Sequence, residues 1–389
     1  MIERYLNIAR EVIDLSLKQG AEQVSVSLAN ATSFQLEVRN QNIEALKEAG
    51  SSGIHVTLAK NQKRSTLSSN DFRLETLEPL IRSTLEALPL MGEDPFYTLP
   101  DPKLQGKAEI DLQFRDPNFE KMASTEKIHE LMLLEKEALS IDSRLQTEEI
   151  SFSDSISYMV HGDSNGFLEG CSKTLCSQGV SMFAEDGGEE TEGSSQSLNT
   201  GRKQSDGWYS SSRFRKDLES REDLARKAGE RTLRKLGSVK PKSCEVPVVF
   251  STEMAQSFLG SLASAMMGDN VFRKHSFLKD SLGETVANPE IRLSDEPLLP
   301  GKLGSRHYDN EGVKATPLML IDQGKLLSFM CSTYSANKLD RQSTGHAGGI
   351  SNLMLKPGNF SDEELIASID NGLYLTGMSG QGVNLTTGD

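Results

Sequence analysis

The chain has 389 residues, a formal net charge of −14, 36% hydrophobic residues and 6% aromatic residues. That length exceeds one ordinary hydrophobic core, and so acidic a balance argues against a general nucleic-acid binder, which must meet phosphates with clustered Lys and Arg. No apolar run approaches the ~18 residues of a membrane span. The amino-terminal stretch MIERYLNIAREVIDLSLKQG is a charged amphipathic helix without the unbroken apolar segment of a signal peptide. The four cysteines, Cys171, Cys176, Cys244 and Cys331, lack paired metal-site spacing. Free thiols in the cytoplasm are therefore expected, with no membrane and no direct nucleic-acid partner.

In chain order, Ile2, Leu6, Ala9, Val12, Ile13 and Leu17 form a helical stripe that ends at Gly20. Period-two alternation follows in three stretches: Val24, Val26 and Leu28, then Phe34, Leu36 and Val38, then Ile54, Val56 and Leu58. This pattern predicts a half-buried antiparallel sheet, with Asn30-Ala31-Thr32 as a hairpin joint. Helices are expected from about Asp71 to Leu88 and from Phe119 to Ile141, separated by a proline- and glycine-punctuated surface connection. His129 sits on the second of these without another histidine at zinc-helix spacing, so it reads as a surface residue. Residues 148 to 183 return to strands around an Asn165-Gly166 turn, and Glu185 to Asp206 reads as a long hairpin. A helix from Ser220 to Leu236 leads to a domain joint at Gly237 to Pro241.

Val246 to Phe250 reads as a buried strand feeding a helix capped by Ser251 or Thr252. Met254, Phe258, Leu262 and Met266 give that helix one heavy apolar side, and Gly260, Ser261, Ala263, Ser264 and Ala265 make the rest small. Gly268 is the expected stop. Beyond it, 291–293, 316–321 and 326–331 are strand-like, Asp322 to Lys325 is a turn, and Ser361 to Ser368 starts a short helix. The expected fold is α+β in two domains. Residues 1–236 would form an N-terminal antiparallel sheet with helices, and 237–389 a β-rich C-terminal domain.

The run LGSLASAMMGDNVFRKHSFLKDSLGE, from Leu259, resembles the TldD/TldE (PmbA) family where TldD members carry a zinc-binding HExxxH helix and an EGD-like turn. Aligning Gly268-Asp269 and Gly283-Glu284 without a gap puts Leu259 and Ser264 at the two histidine positions and Gly260 at the catalytic glutamate. None of the three can bind zinc or move a proton in hydrolysis. Asp309 to Val313, Ala336 to Leu339, Ser343 to Ala347, Ser351 to Leu353, Pro357-Gly358 and Gly380 to Asn384 resemble the family's C-terminal half in order and spacing. Family members continue through a β-rich tail beyond the point where this sequence ends at TTGD, which leaves a truncated domain or a short protein as the two readings.

The resemblance implies the TldE/PmbA side: no catalytic residue, no metal and no cofactor in this chain, with zinc expected in a TldD-like partner subunit. It further implies a heterodimeric metallopeptidase acting on extended or unfolded peptides, with links to microcin maturation, antitoxin turnover and DNA gyrase modulation. A homodimer in isolation is the other expected assembly. Ser261, His275, His307, Ser343, Thr344 and His346 are the candidate cavity- or substrate-facing residues. Gly260, Ser261 and Ser264 would leave room for substrate or for the partner's helix. Two alternatives stand beside this reading: a stand-alone hydrolase working through His275, His307 or His346, and a gyrase- or antitoxin-binding protein without a peptidase partner. His346 near Ser343 and Thr344 shows no orienting carboxylate in the sequence, GMSGQG matches no nucleotide-binding spacing, and Cys331 reads as an inert thiol in a strand-like run.

Overall fold

The computed structural model describes residues 1–185, 202–240, 242–380 and 382–389. The N-terminal half is built on six strands: β1 (Gln23–Arg39), β2 (Asn42–Lys60), β3 (Lys63–Ser69), β4 (Gln146–Asp163), β5 (Leu168–Glu185) and β6 (Lys203–Ser212). They form one antiparallel sheet in the order β3-β2-β1-β4-β5-β6. Four helices cover one face: α1 (Ile2–Lys18), α2 (Leu74–Ala87), α3 (Ser124–Ser140) and α4 (Arg221–Arg234).

The even positions of β1 explain that one-sidedness. Val24, Val26 and Leu28 pack with Tyr5, Val12, Leu77 and Ile81 of α1 and α2. Further along the same face, Phe34, Leu36 and Val38 pack with Leu131 and Leu134 of α3 and Leu224 of α4. Each fully buried aliphatic or aromatic side chain contributes about 1.5–3 kcal/mol, so two helix pairs clamp one long strand. The odd positions, Ser25, Ser27, Ala29 and Ser33 among them, face the other way and make a polar surface.

Asn30-Ala31-Thr32 is not a hairpin joint. Strand β1 runs straight through it, with Asn30 opposite Ser52 and Tyr158. The apolar alternation lapses there because the segment lies between the two helix pairs. The actual turns are Asn40-Gln41 and Asn61-Gln62, all four residues with φ between 52° and 61°. Two-residue turns with two left-handed positions match the twist of a hairpin, and glycine fits the second position best. Replacing Gln62 by glycine is expected to stabilise the chain by about 0.5–1 kcal/mol, because glutamine carries the left-handed penalty and glycine does not. A rise in the urea midpoint checks it.

The arms of the expected hairpin between Glu185 and Asp206 are present, since Glu185 pairs with Lys203. Residues 186–201 lie outside the described residues, as do Pro241 at the expected joint and Gln381 in GMSGQG.

The C-terminal half contains β7 (Val248–Phe250), α5 (Thr252–Ala265), α6 (Gly268–Phe272), β8 (Leu293–Asp295), β9 (Leu318–Asp322) and β10 (Lys325–Leu326). It continues with α7 (Thr333–Lys338), β11 (Leu353–Leu355), α8 (Asp362–Ala367) and β12 (Leu373–Leu375). A four-stranded sheet in the order β10-β9-β8-β11 and a parallel pair β12-β7 frame a core of Ala263, Met266, Leu293, Leu320, Ile321 and Met330. The α+β expectation is met.

Several local expectations are corrected. Strand β7 buries only Val249, while Val248 and Phe250 are 40% and 44% exposed. Ser251 does cap α5, its Oγ accepting from the Met254 N–H at 3.4 Å. Both sides of α5 reach the core near its C-terminal end, Ala263 and Ala265 from the small side and Met266 from the heavy one, while Phe258 of the heavy side is exposed. Gly268 opens α6 instead of stopping α5; a Cβ there would lie 2.8 Å from both Cys331 Sγ and Ser335 Oγ. Cys331 is buried but lies in a loop. The backbone of Met330 pairs with the α5–α6 junction, accepting from Gly268 N–H at 2.8 Å and donating to Met266 O at 3.0 Å, so no strand continues there. No helix among the described residues is long and apolar enough to cross a membrane.

Candidate functional site

The two halves meet on the polar face of the large sheet. The Phe167 ring, following the β4–β5 turn, packs edge-on against Tyr308 at 5.1 Å, and Lys173 Nζ reaches Ser305 O at 3.4 Å. Between the sheet and residues 304–310 lies a cavity of about 370 Å³. Strand register assembles its floor. His55, Ser27 and His161 stand side by side across β2, β1 and β4, and Cys171 and Lys173 join them from the same face of β5. Phe114, Arg306, His307, Tyr308 and Asp309 complete the wall.

Asp309 holds the loop in shape. Its buried carboxylate accepts the backbone N–H groups of Glu311, Val313 and Ala347 at 2.9–3.0 Å, although burial still pushes its pKa up. His161 is buried, with Nδ1 3.0 Å from Ser27 Oγ, and burial depresses its pKa, favouring the neutral ring. The His307 ring stands edge-on to Phe114 at 5.2 Å, and its pKa is lowered by burial and by nearby Lys107 and Lys173. Burial raises the Cys171 thiol, which keeps it protonated and a poor nucleophile. Cys176 and Cys331 are raised to about 11 by the same cause. The cavity can bind and orient a ligand, and its thiol is not an activated nucleophile.

The helix positions singled out by sequence lie elsewhere. Leu259 packs partly against the C-terminal core, and nothing lies within 4 Å of where a Gly260 Cβ would stand. Ser264 Oγ donates to Gly260 O at 2.9 Å and Ser261 Oγ to Ser257 O at 3.2 Å. None of the four lines the cavity. Leu259, Gly260 and Ser264 do not make a zinc site: two carry no side-chain donor atom and the third turns its hydroxyl to its own helix. Among the described residues no group of three or more His, Cys, Asp or Glu is arranged to hold a metal ion.

The three candidate histidines are not brought together as one site. His275 is exposed, His307 lines the cavity, and His346 is buried beside Asp295. The carboxylate absent from the local sequence is thus supplied from β8: His346 Nε2 is 3.1 Å from Asp295 Oδ2. The other ring nitrogen, Nδ1, lies 3.0 Å from Thr344 Oγ1 and 2.7 Å from Thr344 O. Ser343 and Thr344 donate to Cys331 O, each at 3.3 Å. With both nitrogens engaged at 1% exposure, this constellation fastens a loop to the sheet. Sequence reasoning missed Ser27, His161, Lys173 and Arg306. The one available signal was that Ser27 and His161 fall on the polar phase of alternating strands.

Residues 117–236 match a family model described as the PmbA/TldA metallopeptidase central domain, and 243–389 match the C-terminal domain of the same family. The metalloprotease PmbA homolog of Buchnera aphidicola subsp. Acyrthosiphon pisum is 31% identical over 391 residues, covering 99% of this chain and 83% of that protein. The metalloprotease PmbA of Escherichia coli O157:H7 is 28% identical over 392 residues, covering 100% and 84%. A structure from Bacteroides thetaiotaomicron described as a modulator of DNA gyrase superposes with a TM-score of 0.89 at 28% identity, covering 98% of this chain and 84% of that one. TldE from Thermococcus kodakarensis shares the fold, with a TM-score of 0.81 at 20% identity over 96% of this chain and 83% of that one.

Proposed function

The chain belongs to the PmbA/TldD metallopeptidase family, and on that premise we propose that it is the TldE/PmbA-like, non-catalytic subunit of a two-chain zinc peptidase. What supports this reading is helix α5, where the family resemblance would put Leu259, Gly260 and Ser264 in place of two zinc ligands and a base, none of them able to do that work. Zinc and hydrolysis then belong to a TldD-like partner that keeps HExxxH. This chain would complete the chamber wall and offer strand edges, such as those of β3 and β6, to extended peptides, which pair through their backbones largely without regard to sequence. The assembly would work in the cytoplasm on unfolded segments, including those of a microcin precursor, an antitoxin or a gyrase-associated protein.

Unburied apolar surface supports a partner. From Met354 to Gly380 no residue is buried, yet the segment carries Phe360, Leu365, Ile366, Leu373, Tyr374 and Met378, with Phe360 70% and Met378 63% exposed. A face of this kind is one that a subunit, or the β-rich tail of the family, would cover.

Affinity capture of the chain from its native extract is expected to recover an HExxxH-containing relative, and metal analysis of the chain alone should find no stoichiometric zinc. Tight zinc at a defined site, or turnover of an unstructured peptide by the isolated chain, would overturn the assignment. Direct capture of gyrase or an antitoxin with no HExxxH relative present would replace it with a binding role.

A further inference from the structure

In a chain of net charge −14, cations collect around the cavity: Lys173 and Arg306 in its wall, Arg213 behind them, and exposed Lys107 nearby. Their partners are neutral. Lys173 Nζ lies over the Phe114 ring at 4.7 Å as well as near Ser305 O. Arg213 donates to the carbonyls of Thr174 at 3.2 Å, Leu303 at 2.5 Å and Lys302 at 3.4 Å. Arg306 donates to Gly349 O at 2.7 Å and Gly345 O at 3.4 Å.

Among the described residues none of these three has a carboxylate oxygen within 4 Å. Asp295 and Asp309 act on Arg306 from beyond that distance, and the oxygens of Asp309 already take three backbone N–H groups. Arg306 Nε and His307 Nδ1 have no hydrogen-bond partner. Burying an ion without a counter-charge costs several kcal/mol even after relaxation, and neutral carbonyls offset only part of that. Burial accordingly lowers the pKa of Lys173, and neighbouring Arg213 and Arg306 lower it further. Ala29, Met159 and Phe114 give the cavity an apolar patch beside these cations, and its volume falls within the ~300–1,000 Å³ range of small-ligand sites.

We infer that this cavity receives the C-terminal residue of a peptide, its carboxylate facing Lys173 and Arg306 and an apolar side chain resting on Ala29, Met159 and Phe114. The peptide identity of the ligand rests on the proposed function; the demand for an anion rests on the cations alone.

Fluorescence anisotropy with the full chain and a labelled unstructured peptide ending in leucine tests it. The peptide with a free carboxylate should bind about tenfold or more tightly than its C-terminal amide, the factor expected for a charge-assisted hydrogen bond. Lys173→Gln should remove that difference, and Lys47→Gln on the exposed part of β2 should preserve it. Equal binding of acid and amide by the unsubstituted chain, or no binding of either, overturns the inference without relying on any variant to fold. Binding of inorganic phosphate without binding of the acid peptide overturns it too, assigning the cations to a phosphate ligand. An acid–amide difference together with affinity capture that recovers no HExxxH relative would sink the subunit assignment alone. Capture of that partner with no acid–amide difference would sink only the cavity's role.

Discussion

Asp295→Ala is expected to lower the unfolding free energy by about 3–5 kcal/mol, since each buried donor left without its acceptor costs about 1–3 kcal/mol. Asp295 has 0% exposure and serves three donors at once: His346 Nε2 at 3.1 Å, the Ser351 N–H at 2.8 Å and Ser351 Oγ at 2.6 Å. Alanine would strand all three where water does not reach, and would release the loop from Ser343 to Asn352 from β8. Asp295→Asn keeps an acceptor for Ser351 and should cost less, about 1–3 kcal/mol.

The pH dependence has a definite sign. Burial alone would raise the Asp295 pKa, but hydrogen bonds from His346 and Ser351 outweigh it and hold the group below its ordinary 3.8. A depressed folded value means that the carboxylate's contribution is complete above the ordinary range and is lost as pH falls through the folded value. Urea unfolding near neutrality and below pH ~4 should therefore show native and Asp295→Ala chains converging in acid. A neutral-pH difference under about 1 kcal/mol, within the spread of ordinary substitutions, would refute the role given to Asp295.

Glu135→Ala should have an effect of similar size for a different reason. This fully buried carboxylate on α3 accepts from the backbone N–H groups of Asn40 and Gln41 at 2.7 and 2.6 Å, from Gln41 Nε2 at 2.8 Å and from Thr147 Oγ1 at 2.8 Å. The β1–β2 turn has no glycine to relieve its left-handed backbone, so the helix holds the turn in place from outside. Removing the carboxylate leaves buried donors unsatisfied at a cost of about 1–3 kcal/mol for each that water does not reach. A total loss of about 3–5 kcal/mol is expected, with faster amide exchange at Asn40 and Gln41. Lys136→Ala, one residue along and exposed, should stay within about 0.5 kcal/mol. Equal effects of the two substitutions would rule out the clamp.

These two carboxylates also mark where sequence reading ran out. Alternation at Val24, Val26 and Leu28 and at Ile54, Val56 and Leu58 was legible because one face of each strand meets helices. Ser251 and Ser361 were legible as caps because capping is local. Residues 42–50 were not legible as strand, since nearly all are exposed and no face imposes a pattern. The Asn40-Gln41 turn lacked the usual glycine, its signal being a glutamate 94 residues away. Asp295 and His346 are 51 residues apart, and the cavity takes its wall from β1, β2, β4, β5 and residues 304–310, so neither has a spacing to recognise.

The placement of β1 at the middle of the sheet has a consequence during synthesis. Its partner β4 is distant in the chain: Ser27 and His161 touch across 134 residues. At about 5–20 residues per second the ribosome needs on the order of ten seconds to supply that second neighbour. Until then the early three-strand meander presents a 17-residue row of unpaired amides and carbonyls to its surroundings. Newly made chains are most open to mispairing in that interval, before any peptide or subunit is met.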